Sequence, residues 1–373
     1  MVTNRAGGGS SRNRAEFQNI IDFSVFQFES KVKHEVAWYR HDFLPEPPFY
    51  HNGDTATQFQ TNPTISIGRP RDLESRLARR RSVEAQHHRG ARAHGDGDFA
   101  LHHERVMAWG LKTALRISGL YRSGLANALR PVVRELRLEI ETLPADLDGF
   151  RILHLSDFHI DRIDGLAEAL AERLAFLPVD LCVLTGDYRF DVDGPCDAVY
   201  PRMRRVLSAI RSRHGVVGIL GNHDCADIAI GLEALGVRML INESVAIGSA
   251  AGPLWVIGVD DPHFFGCDDL KAAARDVPEG GFQLLLAHTP EMYREAAAAG
   301  IDLYLSGHTH AGQIRLPGIG ALVQLADCPR EFAFGQWNYK GMTGYTTAGV
   351  GCSLLPVRFN CPPEIVVIEL RRS

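Results

Sequence analysis

Five short polar motifs between Asp157 and His310 contain the residue types that bind divalent metal ions. Each supplies Asp, Asn or His directly after a short apolar run, and they are Asp157-Phe158-His159, Gly186-Asp187, Gly221-Asn222-His223-Asp224, His288 and Gly307-His308-Thr309-His310. Carboxylate and amide oxygens, together with imidazole nitrogens, form the ligand set of a divalent transition-metal site. Asp157 and His159 are close enough in sequence to turn toward one ion. His308 and His310 could do the same from another loop.

The number of these side chains suits two metal ions, with one carboxylate between them and water completing the coordination. Two ions about 3.5–4 Å apart would hold a phosphoryl group and lower the pKa of a shared water, giving a hydroxide nucleophile near neutral pH. Any one motif alone is equally compatible with a helix cap, a turn or a core histidine. All five motifs in this order, each after an apolar run, favour a catalytic site.

The segments that carry the motifs alternate between short apolar runs and helical stretches, which predicts an α/β layered domain. The predicted strands that precede the motifs are 152–155, 181–185, 216–220, 284–287 and 303–306. In open α/β sheets the carboxyl ends of the strands form the rim where ligands bind, so five strands would deliver polar residues to one rim. The glycines at 186, 221 and 307 would let the backbone turn sharply and approach the ions.

In this order the motifs resemble those of the calcineurin-like metallophosphoesterase superfamily, over about residues 150–370. The resemblance implies an α/β fold, a four-layer sandwich of two mixed β-sheets flanked by helices. It implies two divalent metal ions (manganese, iron or zinc) and a ligand set in which each residue has a role. Asp157, His159 and His310 would hold the first metal, Asn222, His288 and His308 the second, and Asp187 would bridge both. His223 would face the phosphate and help the leaving group, with Asp224 orienting it.

The sequence around the last motif, 307–314, and the tail 349–365 resemble a bacterial branch of membrane-associated phosphodiesterases. Some members of that branch hydrolyse UDP-diacylglucosamine in lipid A synthesis. The resemblance implies a phosphate-ester substrate, more specifically a diester or a diphosphate bond, and it raises a lipid-linked substrate as a possibility. A phosphomonoesterase acting on proteins or small molecules remains an alternative, as does a non-catalytic scaffold on a membrane surface.

The charge distribution argues against a nucleic-acid substrate. The formal net charge is −5, and residues 151–373 contain more Asp and Glu than Lys and Arg. A phosphate backbone would need a basic groove, so we expect no nucleic-acid partner. The seven cysteines form no C-x-x-C pair, and neither a secretory signal nor a long apolar run is present. We therefore expect a cytoplasmic protein, with peripheral attachment to the inner membrane as the alternative to free solution.

The chain before the motifs divides into two segments by composition. Residues 1–102 lack a sustained apolar period, and we predict a low-order N-terminal extension. Residues 103–133 contain apolar residues at steps of three and four among basic ones, which predicts a basic amphipathic helical segment. The stretch 103–130 could contact a membrane surface or pack on the catalytic domain, and both remain open. The phosphoesterase domain is predicted over 134–373.

Other polar residues near the motifs are weaker candidates. Arg358 could bind a phosphate oxygen, although a surface ion pair would explain it equally well. Tyr188 and Arg189 follow the predicted bridging carboxylate and could line a substrate cleft. His263 could contact substrate or be an exposed loop histidine. His154 lies within a predicted strand, which indicates a core position.

Overall fold

The computed structural model describes residues 72–94, 97–248, 252–321 and 326–373, whose strands form two large sheets and two small ones. The first large sheet has six strands in the order β1 (Val132–Ile140), β16 (Glu364–Arg372), β2 (Arg151–Leu155), β4 (Leu181–Leu184), β6 (Val216–Gly218) and β7 (Val237–Met239). Neighbouring strands are parallel except for the antiparallel pair of β16 and β2.

The second large sheet is also mixed. Its order is β14 (Gly335–Tyr339), β15 (Met342–Thr346), β11 (Leu303–Ser306), β10 (Gln283–Leu286), β9 (Leu254–Gly258) and β8 (Glu243–Ile247). The outer pairs at both edges are antiparallel, and the inner pairs are parallel. The two small sheets pair β3 (Pro178–Val179) with β5 (Arg211–Ser212), and β12 (Arg315–Leu316) with β13 (Gly320–Ala321).

Helices cover the outer faces of both large sheets. In the described ranges the α-helices are α1 (Leu73–His94), α2 (Gly97–Ile117), α3 (Leu120–Ala128), α4 (Leu166–Leu174), α5 (Val199–Leu207), α6 (Ala226–Ala234), α7 (Leu270–Ala273) and α8 (Tyr293–Ala298). Single 3₁₀ turns span Ala145–Leu147, Pro290–Met292, His310–Gly312 and Arg330–Phe332.

The core is divided by the sheets into layers. Successive residues of β2 point to opposite faces: Ile152 packs between the two sheets, whereas Leu153 packs against the helices outside the first sheet. On the far side, Leu285 and Tyr304 of the second sheet pack against α7 and α8. Both faces of the central strands are therefore buried, which explains why they read as continuous apolar runs. The predicted four-layer sandwich is confirmed.

Within the predicted low-order extension over 1–102, the structure describes a long helix. Residues 73–94 form α1, and its Leu77 joins the buried core. The sequence lacks a sustained apolar period here because, among residues 73–87 of this helix, whose burial the structure describes, only Leu77 and Arg80 are fully buried. Residues 1–71 lie outside the described residues.

The predicted helical segment 103–133 contains the end of α2, the whole of α3 and the first residues of β1. It breaks at Gly119, whose φ of 74° suits glycine. α3 packs on the domain, where Asn127 Nδ2 donates to the carbonyl of Arg358 at 3.0 Å. Ile117 and Leu120 at the break are instead 84% and 50% exposed. Among the helices of the described ranges, none combines the length and apolar character needed to cross a membrane.

Candidate metal centre

The five motifs meet where strands of both large sheets end. Two hydrogen bonds join the motifs across the sheets: His288 Nδ1 donates to the carbonyl of Thr185 at 2.7 Å, and the backbone N–H of His308 donates to the Asp157 carboxylate at 3.0 Å. The carboxyl ends of β2, β4 and β6 thus face those of β10 and β11. The predicted rim lies between the two large sheets.

The first group of potential ligands is Asp157, His159 and His310, whose donor atoms all lie within 4.8 Å of one another. His159 Nε2 is 3.2 Å from His310 Nε2, and His310 Nε2 is 3.4 Å from Asp157 Oδ1. All three side chains are buried. This is the set expected for the first metal.

The second group is Asp187, His288 and His308, with donor atoms again within 4.8 Å of one another. Asn222 joins this group, because its Oδ1 is 2.9 Å from His288 Nε2 and 2.9 Å from His308 Nδ1. Asp187 lies between the two groups: its Oδ2 is 3.3 Å from His288 Nε2 and 3.5 Å from His159 Nε2. That is the position expected of a bridging carboxylate.

Backbone carbonyls orient two of the ligand rings. His159 Nδ1 donates to the carbonyl of Arg189 at 2.8 Å, as His288 Nδ1 does to that of Thr185. With Nδ1 donating to the carbonyl, Nε2 of each ring faces the Asp187 carboxylate, where an unprotonated Nε2 could bind a metal ion. Hydrogen bonds of this kind are typical around metal-binding histidines, so the residues fit a divalent metal centre.

The electrostatics of the centre also fit a cation. Burial lowers the pKa of His159 to about 3 and raises the pKa of Asp157 to about 6. Burial also opposes charge on His288, but the carboxylates of Asp187 and Asp157 outweigh it and raise its pKa to about 10. The carboxylates of both groups therefore stabilise positive charge at His288, where a divalent ion would replace the proton.

The backbone at the centre is unusual for non-glycine residues. Five of the candidate ligand residues have positive φ: Asp157 (53°), His159 (38°), Asp187 (57°), His308 (69°) and His310 (48°). Such conformations are rare and concentrate at functional sites. Gly307 is required for close approach, because a Cβ there would lie 2.1 Å from Ser156 Oγ and 2.3 Å from Asp157 Oδ2.

His223 lies beside the centre, with a ring nitrogen within 4.8 Å of donor atoms of His159 and Asp187. It is half-buried, its ring centroid is 4.8 Å from that of His159, and its backbone N–H donates to Asp187 Oδ1 at 2.9 Å. Its Nδ1 is hydrogen-bonded to the carbonyl of Phe190, which leaves Nε2 as the nitrogen available to a substrate. The role of His223 beside the phosphate stays a prediction.

The predicted role of Asp224 is wrong. Its carboxylate accepts backbone N–H groups from Asp187, Tyr188 and Gly221, each at 2.8 Å. It therefore fixes the loops that carry the ligands, and the carbonyl of Phe190 orients His223 instead. Sequence adjacency suggested a pair, but the two side chains of neighbouring residues turn to different partners.

Two predicted substrate contacts are structural. Tyr188 is fully buried, stacks on Phe158 and donates its hydroxyl to the carbonyl of Ile219 at 3.1 Å. Arg358 is also fully buried, and it donates to the carbonyls of Gly351 (2.9 Å) and Ala348 (2.8 Å). Neither lines a cleft, and Arg358 is not a surface ion pair.

The remaining candidates are resolved by their contacts. His154 is buried in the core, as predicted, and its Nε2 is 2.9 Å from Thr185 Oγ1. Arg189 is buried and donates to the carbonyl of His223 at 2.7 Å, so it supports the loop. His263 is partly exposed beside the second group: its ring centroid is 4.5 Å from that of His308, and its Nδ1 is 2.9 Å from Glu291 Oε1.

Sequence reasoning missed Arg80 on α1, which contacts the loop bearing Asn222 and His223. The arginine stands in a basic run, Arg79-Arg80-Arg81, where composition indicates a solvated face. The spacing of Leu73, Leu77 and Arg80 is a weak signal of one buried helical face.

The chain is also similar in sequence to known proteins. Residues 150–312 match the calcineurin-like phosphoesterase family model. Phosphodiesterase YaeI of Escherichia coli (strain K12) is 31% identical over 236 residues, covering 59% of this chain and 82% of that protein. The uncharacterized metallophosphoesterase YkoQ of Bacillus subtilis (strain 168) is 30% identical over 230 residues, covering 59% and 83%.

A vertebrate protein is also similar. The transmembrane protein with metallophosphoesterase domain of Bos taurus is 32% identical over 277 residues, covering 67% of this chain and 60% of that protein. The family match spans all the candidate ligand residues from Asp157 to His310. The chain belongs to the calcineurin-like phosphoesterase family and is a metal-binding hydrolase.

Proposed function

We propose that the protein is a phosphodiesterase that uses two divalent metal ions to hydrolyse a phosphate diester or a diphosphate bond. The observation that carries this proposal is the position of Asp187 Oδ2, within 3.5 Å of a histidine from each ligand group. A carboxylate between two nitrogen-rich groups supports a pair of ions, of manganese, iron or zinc. The name of the E. coli relative, a phosphodiesterase, supports the choice of a diester.

In this proposal the protein's residues have separate roles in binding the metal ions and in contacting the phosphate. When bound, two ions would neutralise phosphoryl charge and lower the pKa of a water molecule. Asp157, His159 and His310 would hold one ion; Asn222, His288 and His308 would hold the other, with Asp187 between them. His223, anchored through Nδ1 by the Phe190 carbonyl, would present Nε2 to the substrate. From that nitrogen it would stabilise charge or give a proton to the leaving oxygen.

A lipid-linked substrate such as UDP-diacylglucosamine is the finer form of the proposal. The sequence resemblance over 307–314 and 349–365 supports it, and so does the apolar surface on α2 and at its junction with α3. Val106, Ile117 and Leu120 are 47%, 84% and 50% exposed there. Such a surface suits peripheral contact with the cytoplasmic face of the inner membrane. The Bos taurus relative is named a transmembrane protein.

The test uses full-length protein loaded with manganese and three substrates: bis-nitrophenyl phosphate, nitrophenyl phosphate and UDP-diacylglucosamine. We expect faster turnover of the diester than of the monoester, and turnover of the lipid. Preference for the monoester would favour a phosphomonoesterase, and metal content without hydrolysis of any of the three would favour a scaffold. Turnover of the diester without the lipid would retain the phosphodiesterase and reject the lipid substrate.

Vesicle sedimentation tests the membrane contact separately. We expect the protein to sediment with vesicles of anionic phospholipid, and Ile117→Glu to weaken that binding because a charge would enter the apolar interface. Phe176→Glu provides a matched control, since Phe176 is 81% exposed but lies just after α4 in the catalytic domain. Equal sedimentation of all three proteins would reject contact through α2.

A further inference from the structure

The helix α1 inserts one arginine into the loop that carries Asn222 and His223. Arg80 is fully buried, although its neighbours on the helix are largely solvent-exposed. Its Nη2 donates to the carbonyl of Gly221 at 2.8 Å and to the carbonyl of Asp224. These two carbonyls stand immediately before and after Asn222 and His223, so a single guanidinium group fixes both ends of that pair.

The guanidinium is held rigidly from its other side. Arg80 Nη1 is 2.6 Å from Asp260 Oδ1, and the guanidinium carbon lies 3.6 Å from the centroid of the Phe265 ring. A buried charge of this kind is tolerated when its donors are paired, and the planar group of arginine can bond an acid and carbonyls at once. The contacts fix where the guanidinium sits and therefore where the loop sits.

Glu84, one turn later on α1, extends the same connection. Its Oε1 accepts the backbone N–H of Ala226, the first residue of α6, at 2.8 Å, and lies 3.3 Å from Arg80 Nε. Together Arg80 and Glu84 contact the chain at Gly221, Asp224 and Ala226. The whole of the motif from the end of β6 to the start of α6 is thus supported by a helix that precedes the domain in sequence.

Other arginines of α1 dock the helix without contacting this loop. Arg79 donates to the carbonyls of Gly266 (2.6 Å) and Asp268 (3.3 Å). It is an exposed neighbour of Arg80 that contributes to helix docking at a different place. A substitution at Arg79 should therefore affect attachment of the helix, whereas a substitution at Arg80 should affect support of the loop that carries Asn222 and His223.

We propose that Arg80 is a positioning residue for the metal centre: through the Gly221 and Asp224 carbonyls it places Asn222 toward the second metal ion and His223 toward the phosphate. The inference rests on the proposed two-metal function. It makes α1 an integral part of the active site, although α1 lies before the segment that matches the family model. Loss of the guanidinium should let the loop shift while the remaining contacts still hold the helix.

The test compares full-length Arg80→Met, Arg80→Lys and the control Arg79→Met by calorimetric manganese titration and by hydrolysis of bis-nitrophenyl phosphate. Because supporting contacts of metal ligands commonly contribute 10–100-fold, we expect Arg80→Met to lose about that much in affinity for the weaker manganese ion or in kcat. Arg80→Lys should be intermediate, since an ammonium can pair with Asp260 but lacks the separate Nη2 that bonds the two carbonyls. Arg79→Met should remain near wild type in both measurements.

Chemical rescue distinguishes positioning from a general structural role. Adding millimolar guanidinium to Arg80→Ala should restore part of kcat, whereas the same addition to wild type or Arg79→Met should not raise it. If Arg80→Met or Arg80→Ala fails to fold, the Arg80→Lys result decides: unchanged manganese affinity and kcat would overturn the inference. Wild-type values in a folded Arg80→Met would overturn it as well. A wild-type protein without hydrolysis would reject the proposed function, while manganese affinity would still test Arg80.

Discussion

Two fully buried arginines support opposite flanks of the metal centre, and they do so in different ways. Arg358 lies beside the first ligand group, with its Nη2 3.4 Å from His310 Nδ1. Its bonds go to carbonyls of the C-terminal loop, including Ala348, Gly351 and Cys361. Arg80 lies beside the second group and pairs with a carboxylate, Asp260. It reaches Gly221 from 141 residues away in sequence.

The difference teaches how the two halves of one site can depend on different parts of a chain. The Arg358 flank is closed by the domain's own tail, since Gly351 and Arg358 belong to the loop between β15 and β16. The Arg80 flank requires a helix from outside the matched family segment. A perturbation of one arginine should therefore affect one half of the centre more strongly than the other. The following predictions test that asymmetry, from the largest expected effect to the smallest.

His223 lies on the loop that Arg80 contacts, and His223→Asn should give the largest loss of activity. General acid–base groups typically contribute about 10²–10⁴-fold, so we expect kcat to fall by at least about a hundredfold while manganese binding stays intact. The loss should be greater for a diester with an alkyl leaving group than for bis-nitrophenyl phosphate, because nitrophenolate needs less protonation. Stopped-assay kinetics on both substrates measure this, and equal losses would contradict a proton-donating role.

Arg358→Met should act on stability and on the first ligand group. Removing the guanidinium leaves several buried carbonyls without donors, and we expect a loss of about 1–3 kcal/mol in the free energy of unfolding. Denaturant titration measures this loss. Binding of the first manganese ion should weaken more than in Arg80→Met, since Arg358 lies beside His310. A variant as stable as wild type would contradict the structural role assigned to Arg358.

The pH dependence of metal binding should differ between the two groups. In the metal-free protein His288, with its pKa raised to about 10, holds a proton at neutral pH that the second ion must displace. Affinity for that ion should rise about tenfold per pH unit from pH 7 to 9. The first group has His159 already neutral and Asp157 protonated only below about pH 6. Its affinity should be flat above that pH.

Calorimetry in buffers with different ionisation enthalpies counts the protons released with each ion. We expect about one proton for the second ion at pH 8 and close to none for the first. Two ions with the same pH dependence would remove the electrostatic distinction between the groups.

Gly110→Ala in α2 should have the smallest effect and should leave both flanks unchanged. Nothing lies within 4 Å of a Cβ added at Gly110, and helix interiors favour alanine over glycine. We expect a gain of about 0.5–1 kcal/mol in the stability of this helix, measured by hydrogen exchange, with unchanged kcat. A change in kcat would indicate that α2 is coupled to the centre.

Much of the fold and the ligand set could be predicted because the signals are local. Each ligand motif directly follows its own apolar strand, so the order of strands placed Asp157, Asp187 and His288 at one rim. Strand lengths were less accurate: the predicted strand 216–220 is Val216–Gly218, and Arg211–Ser212 forms β5, which was not predicted. The short strand pairs with β3, a contact that local periodicity does not contain.

The errors concern residues whose partners are distant in sequence or whose side chains point away from the expected face. Tyr188 follows the bridging carboxylate but turns into the core against Phe158. Arg80 was absent from the sequence prediction because its meaning depends on the carbonyls of Gly221 and Asp224, which only the folded chain brings to it. A charged residue in a basic run carries no local sign of burial.

The most direct measurement of the central claim is the metal content and diester hydrolysis of wild-type protein and Asp187→Asn, determined side by side on manganese-loaded samples. The wild type should bind two ions per chain and hydrolyse bis-nitrophenyl phosphate. Asp187→Asn should lose at least one ion together with turnover, because the carboxylate that both groups share would be gone. Full metal content and unchanged turnover in Asp187→Asn would contradict a shared bridging carboxylate and the two-metal centre built on it.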